Sequence, residues 1–138
     1  MKLGRTVLEA KRYGIIGCLA GDLLQAIAER MVDHDISSLV VTTSDGALAG
    51  IITRTDLLRA YQEHDDWEQC LVSQYMSTQV VTVRPETLLC DVVSLLVEHH
   101  IHRVVVVEEQ HGRIKPLAVL SSSDLIYHIR GRAARVGE

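Results

Sequence analysis

The chain has 138 residues, 47% of them hydrophobic and 23% charged, with 18 acidic residues against 14 Lys and Arg for a formal net charge of −4. That balance excludes a disordered chain and leaves no general basic field for a nucleic-acid backbone. Apolar runs such as "LAVL" and "RVVVV" are far short of the about 20 residues that cross a bilayer, and "MKLGRTVLEAKRYG" lacks the apolar core of a signal peptide. A globular, cytoplasmic protein with neither nucleic-acid nor membrane partners is expected.

In chain order, residues 1–14 hold "TVLEAKRY" (6–13), read as a short helix over the first unit of the fold. Residues 15–64 then alternate in periodicity. "IIGC" (15–18) reads as a strand, and Leu23, Ile27 and Met31 mark an amphipathic helix with Asp22 in the N-cap position. "LVV" (39–41) is a buried strand, and Asp45-Gly46 a hairpin signal, since both residues tolerate positive φ. "GII" (50–52) makes a third strand, with a helix from about Thr55. In the linker, 65–79, Trp67, Leu71 and Met76 point to a short packed helix.

The order then repeats over 80–129. "VVTV" (80–83) precedes a helix with Leu88, Val92 and Leu96 inward and Thr87 at its cap. "VVVV" (104–107), "AVL" (118–120) and a helix from about Ser123 follow. The closing "RGRAARVGE" (130–138), with Arg130, Arg132 and Arg135, reads as a solvated basic tail. A constant offset of 65 carries "ISSLVV" onto "IHRVVV" and "DLLQAIAERM" onto "TLLCDVVSLL". It becomes 68 after "EEQHGRIKP", an insertion expected at a surface turn. The fold class is therefore α/β (α+β): two β-α-β-β-α units, each too small to stand alone, sharing one core.

Both units place a hydroxyl three residues ahead of an acid at the strand-to-helix seam, Thr53-x-x-Asp56 and Ser121-x-x-Asp124. One reading is a capping box. A second, compatible with it, is ligand binding: a helix N-terminus seats phosphate, and a carboxylate suits the two hydroxyls of a ribose. Cys18, Cys70 and Cys90 lack any paired spacing and read as free thiols. His99, His100 and His102 straddle a helix end and a strand start, so they should point apart, and no metal site is expected. "SSSD" has no nucleophile elbow and the chain no GxxxxGK[ST] loop, which argues against an enzyme.

Taken together, "VVTVRPETLLCDVVSLLVEHHIHRVVVV", the "YMSTQ" before it and the seams "GIITRTDLL" and "AVLSSSDLI" resemble a tandem pair of cystathionine β-synthase (CBS) domains of the stand-alone bacterial type. The resemblance implies two repeats packed with pseudo-two-fold symmetry into one compact regulatory module, often a disc-like homodimer, that binds adenine nucleotides in clefts between repeats. It places Asp124 on the ribose with Ser121 and Ser123 near the phosphate, and Asp56, Thr53 and Thr55 as first-copy counterparts. His102 and Arg103 stand where the first unit has Ser37 and Ser38, similar to a phosphate-contacting His-Arg pair in the gamma subunit of AMP-activated kinase. The Asp124 site is accordingly expected to be the stronger for phosphorylated ligands. Otherwise Arg103 pairs with Glu108 or Glu109, or edges the sheet. Adenine is expected against the backbone at Gly17–Cys18 and Thr82–Val83. AMP or ATP is favoured as regulatory ligand, with S-adenosylmethionine or NADH as alternatives; a ligand-independent dimerisation or docking piece is the rival reading. Dimerisation is expected through "DLLRAYQ" and "DLIYHIR", and the regulated partner is expected to be a separate protein.

Overall fold

The structure, a computed structural model, describes Thr6, Val7 and residues 17–136, with side chains as far as Arg130. β-Branched residues fill the central strands of two three-stranded sheets, where they pack well on a pleated surface. In the first sheet β1 (Gly17–Leu19) runs parallel to β2 (Ser38–Thr42), and β2 is antiparallel to β3 (Leu48–Thr53). Helix α1 (Leu24–His34) makes the crossover between β1 and β2, and α2 (Arg54–Glu63) follows β3. A 3-10 turn (Trp67–Gln69) and α3 (Val72–Tyr75) lead into the second unit. There β4 (Thr82–Val83), α4 (Leu89–His99), β5 (Arg103–Gln110), β6 (Arg113–Ser121) and α5 (Ser122–Val136) repeat the order, with sheet order β4-β5-β6. The register keeps the sequence offsets: Gly17 opposes Val40 and Thr82 opposes Val105, while Ser38 opposes Thr53 and Arg103 opposes Ser121.

Several local expectations are corrected. Leu23 and Leu88, expected inside, are exposed, and the buried stripes are Leu24, Ile27, Met31 and Leu89, Val92, Leu96. Each helix offers two adjacent leucines at its start, and either one continues a 3.6-residue stripe; contact with the sheet selects the second. Neither Asp22 nor Thr87 caps its helix, since Leu23 and Leu88 occupy the N-cap positions. Each polar side chain instead closes the preceding turn: Leu19 N–H donates to Asp22 Oδ2 at 2.9 Å, and Arg84 N–H to Thr87 Oγ1 at 3.0 Å. At the first hairpin only Gly46 takes a positive φ, 87°, with Thr43 N–H donating to Ala47 O across the connection. The insertion in the second unit enlarges no turn. It lengthens β5 and β6 until Gln110 opposes Arg113, closed by His111-Gly112 at φ 53° and 76°. Two consecutive positive φ values suit a tight two-residue hairpin, and the longer ladder pairs backbone groups that a loop would leave to water. At the C-terminus α5 continues to Val136, so the expected tail from Arg130 starts as helix. The expected N-terminal helix beyond Val7, residues 15–16 of the first strand and residues 137–138 lie outside the described residues.

The largest departure concerns what precedes each unit. Val7, expected over the first unit, is fully buried in the core of the second, with Leu89, Val92 and Leu120. Its N–H donates to Thr87 O at 2.9 Å, and Thr6 bridges Leu88. Its counterpart at the offset of 65 is Val72, buried in the first unit's core, whose N–H donates to Asp22 O at 2.9 Å. The segment leading into each unit thus completes the core of the other. A third cluster, Val40 and Ile51 against Val105 and Val107, joins the two sheets face to face. Each such residue contributes about 1.5–3 kcal/mol when fully buried. The hairpin ends also meet across the units, Arg113 Nε lying 2.6 Å from Asp45 Oδ2. Hydrogen bonding from the Thr43 hydroxyl, and then Arg113, hold the Asp45 carboxyl below its ordinary range. Both partners are exposed, so this pair adds little stability.

The connection 70–77 is seated on β3 by paired bonds of 2.9 Å between Ile51 and Ser77. A Cβ at Gly50 would lie 2.5 Å from Ser77 O and 3.2 Å from Met76 Sδ. Gly50→Ala is therefore expected to cost about 1–3 kcal/mol, lowering the melting temperature by roughly 5 °C. Gly21→Ala, with nothing within 4 Å of the added carbon, is the control and should melt like the parent or slightly above it. Equal melting temperatures for both variants in differential scanning fluorimetry would contradict the seat.

Candidate functional site

At each seam the strand enters its helix without a loop. Thr53 is still extended, at φ −124°, and Arg54 is already helical. Thr53 N–H donates to Asp56 Oδ2 at 2.8 Å, and Asp56 N–H to Thr53 Oγ1 at 3.4 Å. Ser121 and Asp124 repeat the pair at 2.9 and 3.2 Å. Both seams are therefore capping boxes, and each hydroxyl also donates to its carboxylate at 3.1 Å. The second oxygen of Asp56 meets Arg59 Nη1 at 3.2 Å, which accompanies its near-complete burial; Asp124 is less buried.

A second bond ties each helix start to the central strand. Arg54 N–H donates to Ser37 O at 3.1 Å, and Ser122 N–H to His102 O at 2.8 Å. Strand alternation then fixes direction. Val105 and Val107 face the other sheet, so Arg103 shares their side of β5, as Ser38 shares that of Val40. Between the sheets lies a cleft of about 240 Å³. Residues 79–81, 100–103 and Val105 of the second half form most of its wall, and Ile51 supplies the first unit's part.

Arg103 is half-buried in this cleft. Loss of water pushes its pKa below the ordinary arginine value, and the charge of Asp56 raises it in partial compensation. Among the described residues no carboxylate lies within ion-pair distance of it. The expected alternative, a pair with Glu108 or Glu109, is not formed; Glu108 accepts from Gln110 Nε2 at 2.9 Å instead. The backbone register sets Arg103 opposite Ser121, yet the carboxylate whose field reaches its guanidinium is Asp56 of the other unit. Sequence reasoning grouped His102 and Arg103 with Asp124 because all three share a repeat. Arg103 thus has Ser121 of its own unit opposite it and feels the charge of Asp56 from the other.

The remaining candidates are distributed as follows. Thr53 and Ser121 are engaged in the boxes, and Ser123 is exposed on the first turn of α5. Thr55 lines a separate groove of about 420 Å³ on the outer side of α2, with Leu58 and Tyr61. Gly17 O accepts from Arg30 Nη1 at 2.9 Å. Cys18 and Val83 are buried in the cores of their own units, and burial, with Asp22 next, pushes the Cys18 thiol to about 11. Thr82 is exposed at the start of β4. The backbone that walls the cleft is thus 79–81, immediately before the Thr82–Val83 expected to meet a base.

One residue was missed. His100 closes α4 in the left-handed region, at φ 53°, and lines the same cleft as His102. Residues 100 and 102 thus both border the cleft, on either side of Ile101. The available signal was the αL cap itself, a place where a side chain leaves the helix axis. The equivalent residue of the first unit is Asp35, at φ 50° and 3.6 Å from Arg54, so the two sides of the molecule differ in charge.

The CBS domain family model matches residues 12–63 and again 72–131. The arabinose 5-phosphate isomerase KdsD of Pseudomonas aeruginosa is 30% identical over 82% of the chain and 34% of its own length. The inosine-5′-monophosphate dehydrogenase of Halobacterium salinarum is 32% identical over 72% of the chain and 20% of its own length. The chain thus spans about a third and a fifth of these relatives. Among solved structures, the CBS domain pair of MJ0100 in complex with 5′-methylthioadenosine and S-adenosyl-L-methionine superposes with a TM-score of 0.82 at 20% identity, over 93% of this chain and 98% of that one. CBSX2 in complex with AMP superposes with a TM-score of 0.77 at 19% identity, again over 93% and 98%.

Removing a box acid leaves the cap residue's N–H, of Thr53 or Ser121, without its acceptor. Asp56→Ala and Asp124→Ala are each expected to cost about 0.5–2 kcal/mol without any ligand, read as a fall of roughly 5 °C in thermal unfolding. A variant of either residue melting with the parent would show that its box contributes nothing.

Proposed function

The chain belongs to the CBS-domain family as a tandem pair, and from that premise we propose that it is a regulatory module whose inter-unit cleft binds an adenine nucleotide, AMP or ATP, and reports occupancy to a partner protein. CBS pairs are regulatory modules that bind small adenosyl ligands. The observation that carries the finer reading is Arg103: a half-buried guanidinium, in a cleft between the units, with no carboxylate in contact among the described residues. A phosphate supplies the missing anion, held in the planar fork of arginine with His102 adding a donor. Asp56, whose charge acts on Arg103, then holds the ribose through the carboxylate lone pairs left by the capping box. Backbone groups of 79–81 then face the base. This arrangement gives the phosphorylated ligand to the Asp56 side. Ser121, Ser123 and Asp124, beside Ser37 and Ser38, form the counterpart site, and Arg54 near them is already paired with Asp35.

The proposed homodimer uses the outer faces of α2 and α5. Leu58 and Tyr61 are 67% and 68% exposed, and their counterparts at the offset of 68, Ile126 and Ile129, are also exposed. Two like apolar patches related by the internal symmetry suit a self-complementary contact.

Each charge-assisted bond to phosphate is worth about 1.5–3 kcal/mol. In isothermal titration calorimetry, Arg103→Ala is expected to weaken AMP and ATP by roughly 10- to 100-fold while adenosine is unaffected; equal losses for AMP and adenosine would remove the phosphate role. A ligand at a hundred times its Kd adds about 2.7 kcal/mol. Melting curves unmoved by AMP, ADP, ATP, S-adenosylmethionine and NADH would favour the docking reading instead. For assembly, Leu58→Asp with Ile126→Asp is expected to sediment as a monomer where the parent sediments as a dimer.

A further inference from the structure

We infer that the homodimer pairs unlike helices: α2 of one copy lies alongside α5 of its partner, both running in the same direction, so that the basic end of α5 meets the acidic segment 63–68 that follows α2. This inference rests on the homodimer reading above and adds which face of one copy meets which face of the other.

The outer side of α2 is concave. Thr55, Leu58, Arg59, Tyr61 and Gln62 line its groove of about 420 Å³. Contacts from behind hold two of these side chains. Arg59 Nη1 lies 3.2 Å from Asp56 Oδ1, and its guanidinium stands over the Tyr75 ring, 5.6 Å from the centroid. Tyr61 meets Trp67 edge to face at 6.3 Å. On α5, the positions equivalent to Leu58, Arg59 and Tyr61 at the offset of 68 carry Ile126, Tyr127 and Ile129, all exposed. Two α2 grooves set face to face would enclose a space whose apolar walls lack contacts. The isoleucines of α5 fill that space, and a two-fold dimer makes the contact twice.

Charge points to the same pairing. Segment 63–68 holds Glu63, Asp65, Asp66 and Glu68, with no Lys or Arg. Glu63 accepts from the Tyr75 hydroxyl at 2.6 Å, whereas Asp65 and Asp66 are exposed and form no ion pair among the described residues. Residues 130–136 carry Arg130, Arg132 and Arg135 and no acid. Helix α5 has 15 residues against 10 in α2, from equivalent starting points, so it overhangs by about 7.5 Å. The overhang carries Arg132 and Arg135 past the level at which α2 ends and the chain turns acidic. With the helices side by side in one direction, α2 against the partner's α5 brings opposite charges together. Like helices paired in that direction would bring like charges together. Exposed ion pairs are individually weak, so the apolar contact supplies the affinity and charge selects the pairing.

The test is sedimentation equilibrium of the full chain at low salt, with three variants. One carries Asp65→Lys and Asp66→Lys, the second Arg132→Glu and Arg135→Glu, and the third all four substitutions; melting curves verify that each is folded. Either reversal alone is expected to raise the dimer Kd by about tenfold or more, since each affects two contacts per dimer. The loss should shrink at high salt. The combined variant again sets opposite charges together, and its Kd should return to within about threefold of the parent. Single reversals without effect, a loss that salt does not reduce, or a combined variant as weak as the single ones overturns the pairing and leaves the homodimer reading standing. A parent that sediments as a monomer overturns both.

Discussion

The contact between the two sheets governs the rest of the molecule. Val40 and Ile51 meet Val105 and Val107 across the middle, and branched side chains at these positions hold the sheets at a fixed separation. Nearer the seams the same strand faces change from valine to Ser38, Thr53, Arg103 and Ser121. The gap there cannot close by apolar packing, so a cleft opens where the cluster ends. Period-two alternation thus places the polar ends of β2, β3, β5 and β6 on the same interior surface as the valines. Core and cleft are two stretches of one face.

That face stays in register because neither unit is complete alone. Val7 fills the second core and Val72 the first, each fixed by a 2.9 Å backbone bond. Moving one unit relative to the other would withdraw a buried valine and break that bond. Gly50 belongs to the same constraint, since the chain passing over it leaves no room for a Cβ. A ligand seated between the units therefore meets a surface assembled in advance, which lowers the ordering cost of binding.

The duplicated seams show how one local solution supports two uses. Oδ2 of each acid closes the capping box, stabilising the helix start whether or not a ligand is present. The same bond fixes the carboxylate in one orientation. Divergence between the copies then falls on the neighbouring positions: Asp35, Ser37 and Ser38 in one, His100, His102 and Arg103 in the other. Backbone geometry is retained, including the left-handed residue after each crossover helix, while the charge is reversed.

The repeat, its offsets of 65 and 68, the strand and helix order and both capping boxes were legible in the sequence. Each depends on residues close along the chain or on a pattern written twice. The spacing Thr53-x-x-Asp56 closes within a single helical turn, and "VVVV" buries on both faces wherever it pairs. Choice among equivalent local options was not legible. Leu23 and Leu24 fit the same helical stripe, and only the sheet beneath α1 distinguishes them. Val7 is apolar in either unit's core, and nothing within "TVLEAKRY" says which. Arg103 shows the same point: its own ladder sets it opposite Ser121, and the charge of Asp56 reaches it from the other unit. Side-chain periodicity fixes which residues are buried together on one element. Which element lies opposite is decided by contacts between residues far apart in sequence, and these exist only once both halves have packed.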